Sequence, residues 1–249
     1  MHLQNTSLPS LTRLSPQEFR SSVLALRPSV AIFDCDGTLW ADDAGEAFML
    51  WSMGSGLLSR DACDWLRERY RSYRQGKVPE LAMCGEMVQV YRGLRDAELQ
   101  AAARTFFGIY IAPRVFPVMR QLCWDLKAAG TTLWAVSSTN NWVIQAAMGH
   151  FGIPTDHVLA ACVRVANGVV TGDLIDIPTD EGKAVALDRI GIKNPDTVFG
   201  NSIHDAAMLA LAQHAFAVNP TPELVQLAAA RGWMAFQPEL SHPADGAQR

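Results

Sequence analysis

The chain has 249 residues, of which 49% are hydrophobic and 18% charged, and its formal net charge at pH 7 is −4. This composition supplies ample apolar material for a folded core, and it excludes a disordered chain and a broad basic surface for nucleic acid. No apolar run approaches the ~20 residues that a membrane span requires. We therefore expect a folded protein that binds neither nucleic acid nor a membrane.

The chain's five cysteines indicate a reducing compartment. Their number is odd and no two of them form a C-x-x-C pair, so neither a disulfide framework nor a zinc or redox motif is indicated. Residues 1–28 also lack the charged-then-apolar layout of a signal peptide. We expect a cytoplasmic protein with reduced thiols.

The N-terminal region predicts a loose arm, a helix and a strand. Residues 1–14 have no periodic pattern, whereas Ser15 and Glu18, with proline directly after the serine, form the signature of a helix start. That helix is expected to end at Pro28. The apolar run 30–33 then predicts a short strand that is buried on both faces.

The next 70 or so residues predict only helices. Aromatic side chains between residues 41 and 113 are scattered among Arg, Glu and Asp, with no clear strand signal. This pattern favours several amphipathic helices, which we interpret as a cap inserted into an α/β core. Two helical crossovers within the core are the alternative.

From Val115 onward, strand and helix patterns alternate. Helices are predicted over residues 115–129, 143–151, 182–190, 205–212 and 222–231, and strands over 133–136, 157–161, 197–199, 215–218 and 233–236. The pair Asn167-Gly168 predicts a tight hairpin turn. The alternation predicts a three-layer, Rossmann-like parallel sheet with helices on both faces.

These patterns give a predicted division of the chain. The parts are an N-terminal arm and helix (1–28), an α/β core (29–41 and 113–240), a helical cap (42–112) and a tail (241–249).

Polar residues follow several of the predicted strands, where ligands bind in parallel sheets. Asp34 and Asp36 follow the first strand and Ser137 the second, and Lys183 begins a later helix. Two carboxylates at one strand end can divide the work of nucleophile and proton carrier. Taken singly, these residues are also compatible with an exposed Asp-rich turn, an ordinary strand-end hydroxyl and a solvated lysine.

The order of four motifs resembles the haloacid dehalogenase superfamily. The motifs are Asp34-Cys35-Asp36-Gly37-Thr38, Val136-Ser137, Gly182-Lys183 and Gly200-Asn201 followed by Asp205. The helical insert after the first motif is similar to that superfamily's first-type cap. Within the superfamily, the phosphoserine phosphatase-like branch fits best, and residues 167–173 also resemble it.

The resemblance implies a two-step hydrolysis of a phosphate monoester. Asp34 would be the nucleophile that forms an aspartyl-phosphate, and Asp36 would be the general acid and then the general base. Ser137 would bind a phosphoryl oxygen, and Lys183 would neutralise charge on the phosphate and on Asp34.

The resemblance also implies a Mg²⁺ ion as the cofactor. The expected metal ligands are Asp34, Asp36, Asn201 and Asp205, since Mg²⁺ prefers oxygen donors. The family usually has Asp at the position of Asn201. An amide oxygen brings no charge, so we expect activity with a higher Mg²⁺ requirement.

The substrate residues are less clearly indicated. By register, the arginine that grips a carboxylate in phosphoserine phosphatases falls on Met87, and the residue that contacts the amine falls on Asp43. We assign Asp43, Ser138 and Glu86 to substrate binding. The carboxylates of Asp43 and Glu86, together with the aromatic face of Trp40, would suit an amine-bearing ester. The alternatives are that Glu86 is a solvated helix residue and that Trp40 is a packing residue.

The sequence therefore predicts a Mg²⁺-dependent phosphatase that acts on a small phosphorylated metabolite. A phosphotransferase that uses the same aspartyl-phosphate is an alternative. A binding protein that has lost turnover is another, supported only by Asn201. The sequence leaves the physiological ester and the oligomeric state open.

Overall fold

A computed structural model describes residues 14–240 and contains one mixed sheet. Its strands are β1 Val30–Phe33, β2 Thr132–Asn140, β3 Val158–Ala166, β4 Val169–Asp176, β5 Thr197–Gly200, β6 His214–Val218 and β7 Met234–Phe236. The spatial order is β4-β3-β2-β1-β5-β6-β7, and every neighbouring pair is parallel except β3 and β4. The predicted α/β fold with a parallel sheet is confirmed.

Helices connect the strands and pack around the sheet. They are α1 Pro16–Ala25, α2 Ala44–Gly54, α3 Arg60–Arg74, α4 Glu80–Gln89, α5 Asp96–Phe106, α6 Pro117–Ala128, α7 Asn141–Met148, α8 Glu181–Arg189, α9 Ala206–Leu209 and α10 Pro222–Arg231. Within residues 14–240, no helix is long and apolar enough to cross a membrane.

Local sequence signals fix the start of α1 and the β3–β4 hairpin. The Ser15 hydroxyl accepts from the Glu18 N–H, and the Glu18 carboxylate accepts from the Ser15 N–H, which is the predicted capping box. Asn167 and Gly168 both have positive φ, as a primed hairpin turn requires. These elements are therefore set by the chain's own local chemistry.

One predicted helix is much shorter than its pattern indicated. In place of a helix over 205–212, a 3₁₀ turn Ile203–Asp205 leads into the single turn of α9. The N–H groups of Leu211 and Ala212 bond three residues back, and the Gln213 N–H then pairs with the Pro195 carbonyl. The prediction was wrong because the chain must turn early to enter β6.

The predicted insert contains α2 to α5 between β1 and β2, and it is helical as expected. Its buried side chains, among them Phe48, Leu66 and Leu99, belong to the same hydrophobic cluster as sheet residues such as Phe33 and Ala135. The boundaries between cap and core stay a prediction. The predicted tail 241–249, and all but the last residue of the predicted arm 1–14, lie outside the described residues.

Helix α1 is bound to the sheet through Phe19. This ring is fully buried, stacks on Phe236 at 4.0 Å between centroids and meets Phe216 edge-on at 5.9 Å. Burial on this scale contributes several kcal/mol. Although the sequence set residues 1–28 apart as an arm and helix, Phe19 is thus part of the hydrophobic core.

We expect Phe19→Ala to lower the free energy of unfolding by about 3–5 kcal/mol, because it leaves a cavity between aromatic rings. Urea denaturation measures the change. Leu26→Ala, at a side chain 38% exposed just after the same helix, is the control and should cost less than ~1 kcal/mol. Equal losses in the two variants would contradict the packing described here.

Candidate active site

The carboxyl ends of the parallel strands carry the candidate site. Asp34 directly follows β1, Asn201 directly follows β5, and Asn219 directly follows β6. Residues 137–140 form the last part of β2. Parallel strands end at a common edge, so residues far apart in the sequence meet there.

A buried ammonium group joins two carboxylates at this edge. Lys183 Nζ lies 2.7 Å from Asp34 Oδ1 and 2.5 Å from Asp205 Oδ1, and all three side chains are nearly or fully buried. Burial alone would lower the pKa of Lys183, but the charges of Asp205 and Asp34 raise it above its usual value. Lys183 is therefore a permanent cation that holds Asp34 in place.

The Asp34 carboxylate faces the cavity and is held at both of its oxygens. Its second oxygen accepts a 2.8 Å hydrogen bond from the Thr38 hydroxyl. Desolvation, and then repulsion from Asp205, raise its pKa to about 6, although Lys183 opposes both effects. The carboxylate is thus ionised at neutral pH and fixed in orientation, as a nucleophile requires.

Asp205 does not line the cavity, but it contacts residues that do. Its second oxygen accepts from the backbone N–H groups of Asn201 at 2.8 Å and Ser202 at 3.0 Å. Both of its oxygens are therefore occupied, and the side chain is fully buried. This geometry does not favour the predicted role of metal ligand, because Asp205 instead positions Lys183 and the loop after β5.

Asp36 is held by three donors in a partly buried position. Its Oδ1 accepts from Trp40 Nε1 at 2.9 Å and from the Ala44 N–H at 2.7 Å, while its Oδ2 accepts from the Thr139 hydroxyl at 2.7 Å. Desolvation, and then repulsion from Asp43, raise its pKa to about 7. A carboxyl group with this pKa can both donate and accept a proton near neutral pH.

These groups open into a cavity of about 340 Å³. It is lined by Asp34, Asp36, Gly37, Asp42, Asp43, Tyr73, Glu80, Ser138, Thr139, Lys183, Asn201, Ser202, His204 and Asn219. Of the residues in the described part of the chain, five carboxylates and one lysine contribute to this wall. A phosphate dianion would be repelled by such a wall unless a further cation entered with it.

The hydroxyl groups at the end of β2 differ from the prediction. Ser137 is 1% exposed, and its Oγ accepts from the Thr139 N–H at 3.1 Å. It does not line the cavity, whereas Ser138 and Thr139 do. Ser138 therefore lies at the site as predicted, whereas Ser137 is buried and does not belong to the cavity lining.

Asn201 lies directly on the turn that follows β1. Gly37 has φ +75°, and a Cβ there would lie 1.9 Å from Asn201 Nδ2, so only glycine fits. Asn219 Nδ2 donates to the Gly37 carbonyl at 3.0 Å and braces the same turn. The two asparagines thus pack the β5 and β6 loops against the Asp34–Thr38 segment.

Oxygen donors for a hard cation are present at this turn. Asp34, Asp36 and the Asn201 amide line one cavity, and these are the groups that Mg²⁺ prefers. Within residues 14–240, no three His, Cys, Asp or Glu side chains are arranged to hold a metal. A Mg²⁺ ion here would therefore depend on the Asn201 amide and on bound water.

The predicted substrate residues separate in the structure. Asp43 caps α2, with its Oδ1 2.9 Å from the Glu46 N–H, and it lines the cavity. Glu86 pairs with Arg69 at 2.5–2.8 Å and lines a different groove, so it is not brought to the site. Trp40 is fully buried and binds Asp36, which makes it a packing residue.

A second, smaller cavity of about 80 Å³ continues from the first between α2, α3, α4 and the end of β2. The two cavities share Asp43, Tyr73, Glu80, Ser138 and Thr139. Sequence reasoning missed Tyr73, Glu80, Thr139 and Asn219. The strand-end rule pointed to Asn219 and Thr139, whereas no local signal marked Tyr73 or Glu80.

Comparisons with known proteins agree with this arrangement. The family model for haloacid dehalogenase-like hydrolases matches residues 31–210. A histidinol-phosphatase from Neisseria meningitidis is 28% identical over 215 residues, which cover 82% of this chain and 96% of the relative. The phosphoserine phosphatase SerB1 of Mycobacterium tuberculosis is 26% identical, covering 82% of this chain and 69% of its own.

Solved structures match the fold. A Bordetella pertussis protein of unknown function has a TM-score of 0.72 at 24% identity, covering 83% of this chain and 97% of that one. A substrate-bound phosphoserine phosphatase has a TM-score of 0.58 at 16% identity, covering 86% and 94%. With the family model matched over most of its length, the chain belongs to the haloacid dehalogenase-like hydrolases.

Proposed function

We propose that this protein is a Mg²⁺-dependent phosphatase that hydrolyses a small organic phosphate monoester through an aspartyl-phosphate on Asp34. One observation carries the proposal. The ionised, lysine-held Asp34 and the proton-carrying Asp36 face the same cavity. The matched relatives named as phosphatases support the reaction class, and because their names specify two different substrates, they leave the ester open.

In the first step, an Asp34 oxygen attacks phosphorus and the bond from phosphorus to the ester oxygen breaks. Asp36 gives its proton to the departing alcohol. In the second step, Asp36 takes a proton from water, whose oxygen attacks phosphorus and releases inorganic phosphate and the Asp34 carboxylate. The sequence is balanced, because the proton that leaves Asp36 in the first step returns to it in the second.

The pKa of Asp36, near 7, fits this double role. At neutral pH both of its protonation states are populated, so the proton can move in either direction without a large cost. Its Oδ2 faces the Thr139 hydroxyl, which can accept from the protonated acid or donate to the carboxylate.

Lys183 keeps the Asp34 carboxylate oriented and supplies fixed positive charge at the point of attack. Preorganised charge of this kind accounts for much of the catalysis in phosphoryl transfer. Asp205 contributes indirectly, by holding the ammonium and the loop that carries Asn201.

Mg²⁺ would be held by Asp34, Asp36 and the Asn201 amide. When bound, it supplies positive charge that offsets the phosphate and the carboxylate wall. The acid excess of the cavity is the physical reason for proposing it, since Lys183 is already paired with two carboxylates.

Asp34→Asn should lower phosphate release from p-nitrophenyl phosphate by at least ~10³-fold, because an amide cannot form the covalent intermediate. Acid quenching with ³²P-labelled substrate should trap label on the wild type and none on the variant. Asp156→Asn, an exposed residue, is the control. Residual activity above a tenth of wild type would overturn the role of Asp34.

Asn201→Asp should lower the Mg²⁺ concentration for half-maximal activity by at least ~10-fold, because it adds a charged ligand. A Mg²⁺ titration after treatment with EDTA measures the shift. His204→Asp is the control, since it adds a carboxylate to the same cavity wall at a residue that makes no hydrogen bond with the turn after β1. An equal shift in both variants would contradict direct ligation by residue 201.

The raised pKa of Asp36 predicts a pH-dependent stability. Between the unfolded value of ~4 and about 7, the folded state binds more protons than the unfolded state, so this group costs stability as pH rises. Asn can replace protonated Asp36, accepting from Trp40 and Ala44 and donating to Thr139.

We therefore expect the melting temperature of Asp36→Asn, relative to wild type, to increase from pH 5 to pH 8 in EDTA. Differential scanning calorimetry measures the difference, and Asp156→Asn corrects for a general charge effect. A difference that does not change with pH would show that Asp36 has an ordinary pKa.

A further inference from the structure

We propose that the smaller cavity selects phosphate esters whose alcohol carries an ammonium group, and that Glu80 is the residue that binds this cation. The inference deepens the proposed function and rests on it. Neither Glu80 nor Tyr73 takes part in the two proposed reaction steps. The residues concerned lie mainly on α3 and α4, away from the sheet edge.

The smaller cavity is where the alcohol part of the ester must lie. It continues from the reaction cavity through Ser138, Thr139 and Asp43, and Thr139 binds the proton carrier Asp36. An ester with its phosphorus near Asp34 and its bridging oxygen near Asp36 therefore extends its carbon chain toward α3 and α4. The lining of this space then determines which alcohols fit.

The charge of this lining is negative. Among the described residues that line it, Asp43, Glu46 and Glu80 are acidic, and the one basic residue is Arg74, whose side chain is exposed to solvent. The rest of the wall is mostly apolar or aromatic, with Met49, Met83, Met87, Val88 and Tyr91. Apolar walls lower the local dielectric, so the carboxylates favour a cation and disfavour a second anion.

Glu80 is the carboxylate best placed to select the ligand. It lines both cavities, and its two oxygens accept from the Tyr73 hydroxyl and, at 3.4 Å, from Cys84 Sγ. These neutral donors fix its orientation without neutralising its charge. On the α2 side of the smaller cavity, burial, and then the hydrogen bond and charge of Glu46, raise the pKa of Tyr70 above its usual value.

Met87 explains why a substrate carboxylate is not matched here. Its apolar side chain lines the cavity, and among the described lining residues the only cation is Arg74, whose side chain is exposed to solvent. An ester with an ammonium and no carboxylate therefore suits the wall better than phosphoserine.

Two isosteric esters test the proposal. Phosphoethanolamine carries a terminal ammonium group where n-propyl phosphate carries a methyl group. The ratio of their kcat/KM values therefore measures the contribution of the positive charge. We expect the wild type to prefer phosphoethanolamine at least ~10-fold, and to prefer it over phosphoserine as well. Glu80→Gln, which keeps an acceptor for Tyr73, should reduce the ratio at least ~5-fold.

The matched control is Glu86→Gln, a neutralisation on the same helix at a residue paired with Arg69 outside the cavity. It should leave the ratio unchanged. Tyr73→Phe, which frees the Glu80 carboxylate from its phenolic donor, should reduce the ratio less than Glu80→Gln and provides a second variant if one fails to fold.

Equal kcat/KM for the two esters in the wild type would overturn the inference and leave the phosphatase intact. An unchanged ratio in Glu80→Gln, or a variant that alters only the Mg²⁺ requirement, would also overturn it, the latter by indicating a second metal site. Failure to hydrolyse these esters and p-nitrophenyl phosphate alike would overturn the proposed function, and this inference with it.

Discussion

The buried contact of Lys183 with Asp34 and Asp205 is the interaction on which the rest of the site depends. An ammonium removed from water is costly unless opposite charges surround it, and here two carboxylates do so at 2.7 and 2.5 Å. The contact fixes the start of α8 against the ends of β1 and β5. Asp205 extends it by binding the N–H groups of Asn201 and Ser202. Loss of one partner would therefore disturb the nucleophile and the metal-side loop together.

Among the other described carboxylates of the cavity, Asp42 pairs with Arg114, whereas no salt bridge to Asp36, Asp43 or Glu80 is present. Desolvation, and then repulsion from neighbouring carboxylates, raise the pKa of Asp34 to about 6 and that of Asp36 to about 7, which prepares Asp36 for proton transfer. The same acid excess calls for positive charge from bound ligands. An amide at Asn201 lessens the repulsion in the ligand-free protein, and it weakens the attraction for a metal. The raised pKa of Asp36 and the expected need for a bound cation thus both follow from the excess of carboxylates in the cavity.

The sequence predicts much of this site because its strongest signals are local. The apolar run of β1 followed by Asp34 identifies a strand end, and parallel topology then brings Asn201 and Lys183 near it. It does not predict which neighbouring side chain faces the cavity. Ser137 and Ser138 are adjacent, and only the second lines it, because β2 continues to Asn140 with an irregular register after Ser137. The two roles of Asp205 likewise depend on contacts distant in sequence.

Helix α4 gives the clearest case of information that only packing supplies. Glu80 and Glu86 are six residues apart, which places them about 120° apart around the helix axis, so they face different sides of α4. Which one faces the cavity is decided where Gly85 approaches Leu174 and Ile177 so closely that a Cβ would crowd both. That contact turns Glu86 toward Arg69 and Glu80 toward the sheet edge. The reaction is thus carried out by residues at the strand ends, whereas the choice of ester depends on how α4 packs against β4 and the loop after it. Substrate choice can therefore change while the reaction stays the same.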